Sequence, residues 1–158
     1  MTTYRLNRNL ESSLIDYLRA QLTTDGWQNI SVEKSMPAKE FKPAVILIQV
    51  SDIDAQKREI GSGKFIQFPR VTIRIFAEND GQREDLSNWL LDKLEADIPY
   101  YHYVITAGTV SSKIVSGNIV VLRIIRDEKE LANTNPDVLE KEDRYRHNLT
   151  FNCYVGEY

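Results

Sequence analysis

The chain has 158 residues, of which 42% are hydrophobic and 27% charged, and its formal net charge is −3. These values suit a single globular domain with a core of ordinary size, and they argue against a general nucleic-acid binder, which carries a marked basic excess. The single cysteine, Cys153, excludes an internal disulfide and a CxxC metal site. The first residues lack the apolar run of a signal peptide, and no apolar run approaches the length that crosses a bilayer.

Leu6, Leu10, Leu14, Leu18 and Leu22 recur every four residues, with Ile15 and Tyr17 widening the stripe. That period predicts an amphipathic helix. Asn7 or Asn9 is expected to cap its start, and Thr23-Thr24-Asp25-Gly26 to end it, because glycine takes the left-handed conformation that closes a helix. Residues 27–33 read as a short strand with Trp27, Ile30 and Val32 apolar, and residues 36–43, with two prolines, as a loop.

Residues 44–50 are apolar through Ile48, the pattern of a strand covered on both faces by helices or by a partner subunit. Residues 51–64 turn polar and end in Gly61-Ser62-Gly63, which reads as the tip of a long hairpin whose second arm is 65–76. Pro69 cannot donate to a ladder, so it predicts an edge or a bulge. Val71, Ile73 and Ile75 then alternate with polar residues until Glu78-Asn79-Asp80-Gly81 breaks the pattern. Beyond the break Leu86, Trp89, Leu90 and Leu94 share one helical face, with Arg83 placed off it. A strand feeding directly into an amphipathic helix makes a two-layer scaffold, and Trp89→Ala is expected to unfold it.

The aromatic-rich stretch 98–103 reads as a turn into a strand over 103–107. Residues 119–125 are a clear strand with Val120, Leu122 and Ile124 on one face. His147, Leu149, Phe151, Cys153 and Val155 alternate with polar residues in the cleanest period-two run of the chain. Between these two strands, residues 127–144 are polar and rich in both charge signs, a surface excursion of functional length. The sequons at Asn29 and Asn148 fall on what read as strand residues. The expected fold is α+β: a mixed, mainly antiparallel sheet packed by an N-terminal and a central amphipathic helix, with a long protruding hairpin. One domain spans 1–158, with excursions at 51–68 and 127–144.

No stretch carries a catalytic motif. Gly61-Ser62-Gly63-Lys64 lacks both the earlier glycine and the following Ser or Thr of a phosphate-binding loop, since Arg58 and Phe65 stand there. Asp52 and Asp54, with Glu59 nearby, have the spacing of a metal-dependent nuclease cluster, but carboxylates at a hairpin tip also simply keep it in solvent. His147 is expected at a rim or in the core, His102 to pack among tyrosines, and Cys153 to be a small buried hydrophobe. Tyr100, Tyr101 and Tyr103 are candidates for an interface anchor.

The helix NRNLESSLIDYLRAQL, the strand VTIRIFA passing through ENDG into DLSNWLLDKLEAD, and the closing strand YRHNLTFNCYV together resemble the tail terminator and tail-completion proteins of long-tailed bacteriophages. The resemblance covers most of the chain, although the excursion at 127–144 departs from the family pattern. It implies an α+β subunit that closes into a hexameric ring on the last ring of tail-tube protein, stops tube growth and docks the head-side connector. DNA would meet it only by passing through the lumen, and no cofactor, metal or membrane is implied. The subunit would be assembled in the host cytoplasm and reside in the virion. Interface contacts are expected from Asp52, Asp54, Lys57, Arg58, Glu59, Lys64, Phe65 and Phe68 on the hairpin, and from Glu128, Lys129, Glu140 and Lys141 on the excursion. The alternatives are a head-tail connector or neck component and a small metal-dependent nuclease.

Overall fold

The computed structural model describes residues 5–34, 44–57, 60–61, 63, 65–128 and 146–157. Two helices, α1 (Leu6–Thr24) and α2 (Asp80–Glu95), accompany six strands: β1 (Ser31–Glu33), β2 (Val45–Lys57), β3 (Phe65–Phe76), β4 (Ile98–Thr106), β5 (Thr109–Glu128) and β6 (Arg146–Glu157). The strands form one curled sheet in the order β1-β2-β3-β6-β5-β4, antiparallel except for the β1–β2 pair. The fold is therefore α+β, a mixed and mainly antiparallel sheet packed by the two helices.

The leucine stripe of α1 and Leu86, Leu90 and Leu94 of α2 share one core with Ile46, Ile48, Val71, Ile73, Ile75, Leu149 and Phe151 of the sheet. Both helices thus cover one face. On the other face Val45, Leu47 and Phe76 form a small buried cluster of their own, so the 44–50 stretch is covered on both faces, although its strand lies beside the short edge strand β1.

The ends of α1 differ from expectation at one terminus only. Its N-cap is Arg5 without a side-chain cap bond, while Asn9 is buried and its Nδ2 lies 3.4 Å from His102 Nδ1. At the other end Gly26, with φ of 76°, bonds Thr23 O, and Trp27 N bonds Leu22 O at 3.0 Å, the paired bonds of a left-handed glycine stop. The chain then turns through Asn29 at φ 59°, so strand structure begins only at Ser31 and Asn29 is not a strand residue; Asn148 is one. α2 starts at a true cap: Asn79 Oδ1 accepts from Gln82 N at 2.8 Å, and Gln82 Oε1 accepts from Glu78 N at 2.8 Å. Arg83, placed off the apolar face by its charge, is in fact largely buried and pairs with Asp80 and Glu84.

α1 bridges both edges of the curled sheet with polar side chains. Arg19 donates from Nη2 to Val32 O at 2.7 Å on β1, and Glu11 Oε1 accepts from Val50 N at 2.9 Å on β2. On the far side Ser13 Oγ accepts from Tyr101 N at 2.9 Å, and Asp16 accepts from Tyr103 OH at 2.8 Å and from Lys113 at 3.0 Å. Burial, and then the Asp16 contact, raise the Tyr103 hydroxyl well above the ordinary phenol range. The edges nearest the core are thus closed by side chains, which strand edges otherwise require of another strand.

Besides two register shifts within the β4–β5 pair, at Tyr100/Tyr101 and Val104/Ile105, one bulge in β2 and one in β5 reset the phase of the sheet. In β2 Val50 pairs Val71 but Asp52 pairs Arg70, which leaves Ser51 as the extra residue. In β5 Val121 pairs Cys153 but Arg123 pairs Asn152, leaving Leu122 extra. The second bulge overturns the expected face of this strand: Ile119 is buried and Val121 and Ile124 pack on the core, whereas Val120 and Leu122 are exposed. Three further boundaries differ. The polar stretch after Val50 continues as strand to Lys57, residues 98–102 are strand instead of turn, and 109–118 extend β5 into a hairpin with β4. That hairpin turns on Ala107 and Gly108, with φ of 52° and 82°, the positive values a two-residue turn needs to match strand twist.

Candidate assembly surface

Beyond the bulges the strands carry a second, solvent-facing set of side chains on the face away from the helices. The Ser51 bulge puts Asp52, Asp54 and Gln56 there, opposite Arg70, Phe68 and Ile66 of β3. β3 and β6 stay paired only as far as Arg70 and Asn152. Beyond that point the rings of Phe68 and Tyr154 span the gap at 6.1 Å between centroids, and Cys153 Sγ reaches Pro69 O at 3.5 Å. The carbonyl of Pro69 faces β6, so its missing N–H also falls where the ladder has ended, in keeping with an edge position.

Two shallow cavities line this surface. One, of about 240 Å³, lies among Asp52, Asp54, Gln56, Phe68, Arg70, Leu122 and Asn152. The other joins Ile66, Phe68, Leu122 and Tyr154. Asp52 pairs with Arg70 at 3.2 Å, and Asp54 accepts from Gln56 at 2.8 Å. Pairs this exposed are worth about 0–1 kcal/mol, so they orient side chains more than they stabilise the fold. Leu122, Val120, Ile125 and Tyr154 are each between 41% and 55% exposed, an apolar strip next to the two aspartates.

Of the residues expected at an interface, Asp52, Asp54 and Phe68 come together on this face. Lys57 and Phe65 pair on the opposite side of the same arm, with the ammonium 5.8 Å from the ring centre. Arg58, Glu59, Lys64, Lys129, Glu140 and Lys141 lie outside the described residues; the backbone of Glu128 ends β5, and its side chain also lies outside them. Sequence reasoning missed Leu122, Val120 and Tyr154 as members of the surface. Only the bulge and the long-range pairing of β5 with β6 bring them beside Phe68.

The other candidate groups have structural settings. His147 is fully buried and its Nε2 lies 3.1 Å from Ser87 Oγ, joining β6 to α2. Cys153 is fully buried, and burial pushes its thiol up to about 12, which removes the thiolate that reactivity needs. Tyr101 and Tyr103 stack edge to face at 6.2 Å, with Lys113 over Tyr101 at 4.7 Å, as part of the seam with α1. Asp25 accepts from Trp89 Nε1 at 2.7 Å and from Lys93 at 2.9 Å, and these two bonds lower its carboxyl below the usual range. Among the described residues no three His, Cys, Asp or Glu side chains group closely enough to hold a metal, and no helix is long and apolar enough to cross a membrane. Compared with known proteins, the sequence matches no family model and no curated protein.

Proposed function

We propose that this chain is a non-enzymatic structural subunit of a phage virion, a tail terminator that closes into a ring on the head-proximal end of the tail tube. The ring ends tube growth and presents a docking face to the head-side connector. The observation that carries this reading is the apolar strip of Val120, Leu122, Ile125 and Tyr154 beside Phe68. A lone subunit leaves that strip in water, and a contiguous apolar patch rimmed by charge marks a protein-protein contact. The exposed residues of β2 from Asp52 to Lys57 support it, since they would be open to a neighbour or an adjacent ring. The element order of the resemblance points the same way.

Light scattering and negative-stain imaging of the purified chain, alone and with tail-tube protein, test the proposal. The expected result is a ring that binds tube ends and fixes tube length. A chain that stays monomeric and leaves tube length unregulated would overturn it. Location in virions on the portal side of the neck would make it a connector component instead. Cleavage of DNA with Mg²⁺ or Mn²⁺, lost in an Asp52→Ala/Asp54→Ala chain, would make it a nuclease.

A further inference from the structure

Among the described residues the sheet has two unclosed edges, and they lie on opposite flanks. On the β2 flank β1 covers only Val45, Ile46 and Leu47, and Glu11 takes the Val50 amide. From Asp52 to Lys57 no strand lies beside β2 on that side among the described residues. On the other flank β4 pairs with β5 only as far as Ile119, so 120–128 have no strand on their outer side among the described residues. A groove of about 360 Å³ runs along that second edge, between Leu94, Glu95, Ala96 and Asp97 on one wall and β5 on the other. An unpaired edge is a row of unmet donors and acceptors, a template for another strand.

The side chains at the two edges complement each other. A single cross-strand row on the open face runs Asp52, Arg70, Asn152, Arg123. It begins with an acid at one free edge and ends with a base at the other. A row of this kind is completed by a second copy laid edge to edge in the same orientation, because β2 and β5 run in opposite directions within one sheet and their pairing would be antiparallel.

We propose that residues 52–55 at the β2 edge of one subunit pair with residues 120–123 at the β5 edge of the next, placing Asp52 against Arg123 of the neighbouring copy; the pairing ends at Ala55, because Gln56 and Lys57 fall level with Ile119 and Asn118, where β4 already sits. The contact uses different surfaces on the two copies, so it propagates head to tail and closes wherever the rotation per step permits. The curl of the sheet supplies such a rotation. This inference rests on the ring-forming reading above and names the contact that would build the ring.

Cysteine cross-linking tests it. Facing residues of an antiparallel pair come within the Cα spacing a disulfide accepts. The full chain carrying Asp52→Cys and Arg123→Cys together, with buried Cys153 left in place, is oxidised and run under non-reducing denaturing conditions. The expected result is a ladder of covalent oligomers from the double variant and none from either single variant. Arg123→Glu in the otherwise native chain is expected to weaken association at least tenfold while leaving the circular dichroism spectrum unchanged. Dimers from a single variant would indicate a two-fold contact and overturn the inference. Absence of cross-links, or an Arg123→Glu chain that assembles normally, would also overturn it while the native chain still forms rings. If the native chain does not associate at all, with or without tube protein, the ring reading fails as well.

Discussion

The inner and outer halves of the sheet are made by the same strands and behave as two different materials. Inside the bulges, β2 and β3 carry Ile46, Ile48, Val71, Ile73 and Ile75 under two helices, all at or near zero exposure. Outside them the same two strands carry Asp52, Asp54, Gln56 and Arg70, and their apolar residues meet water. Burial is cooperative in the first region because each side chain loses its neighbours' packing when one is removed. In the second there is little packing to lose. Stability and the proposed assembly are therefore expected to separate in this chain, with one residue, Ser51, at the border on β2.

The largest test of that division is Phe151→Ala. Phe151 is 1% exposed at the centre of the inner half, and removing a buried ring costs about 3–5 kcal/mol, enough to unfold much of the chain in a denaturant titration. Trp89→Ala is expected to cost less, about 2 kcal/mol, because Trp89 is only partly buried and the full truncation cost applies to fully buried rings. It loses its edge-to-face contact with Trp27 at 6.3 Å and the Asp25 bond, so a chain with a lowered melting temperature is expected in place of an unfolded one. Glu11→Ala strands the Val50 amide and removes the carboxylate that pairs with Lys34 at 2.6 Å, for about 1–3 kcal/mol.

Asp25→Asn makes a smaller, pH-dependent test. Bonds from Lys93 and Trp89 depress the folded carboxyl, so its contribution is present above the unfolded value of about 4 and is lost as the pH falls through the lowered folded value. The melting-temperature gap between the native and Asp25→Asn chains should narrow from neutral pH into strong acid; a constant gap would mean the carboxylate charge has no part in it. Leu122→Ser has the smallest effect on the fold, within about 0.5 kcal/mol, yet it should reduce association measured by light scattering. If it destabilised the chain by as much as Glu11→Ala, the boundary between the halves would be drawn in the wrong place.

Much of the inner half could be read from the sequence. The four-residue leucine repeat of α1, the stripe of α2 and the alternation of 147–155 each state a period, and a period survives whatever surrounds it. Bulges have no period. Nothing in NIVVLRIIR marks Leu122 as the extra residue, and counting straight through it placed Val120, Leu122 and Ile124 on one face. The β4–β5 hairpin was hidden for a related reason, since Ala107-Gly108 lacks the Asn-Gly or Asp-Gly signature and the strand behind it, TVSSKIVSG, alternates weakly. Glu11 escaped notice because a charged residue in a helix ordinarily faces solvent; its role exists only once β2 is brought alongside. At the candidate surface, the aspartates were visible as a polar run, but their apolar companions arrive from β5 and β6, more than fifty positions away, through pairings that no local pattern encodes.

The order of the strands also governs when the molecule can come into being. β6 is the latest of the six in sequence, yet it lies between β3 and β5. During synthesis the chain can form a β1-β2-β3 leaf and a separate β4–β5 ribbon, but no strand joins them until residues 146–157 have been made. Until then the β3 edge is bare, and such bare edges on incomplete chains are where aggregation begins. Contacts of such long sequence separation are slow to find. The final strand is therefore a keystone, and the open face that Phe68, Leu122 and Tyr154 form across three strands does not exist in any nascent fragment. In the proposed ring, a subunit would become competent to meet its neighbours only once the last strand is in place.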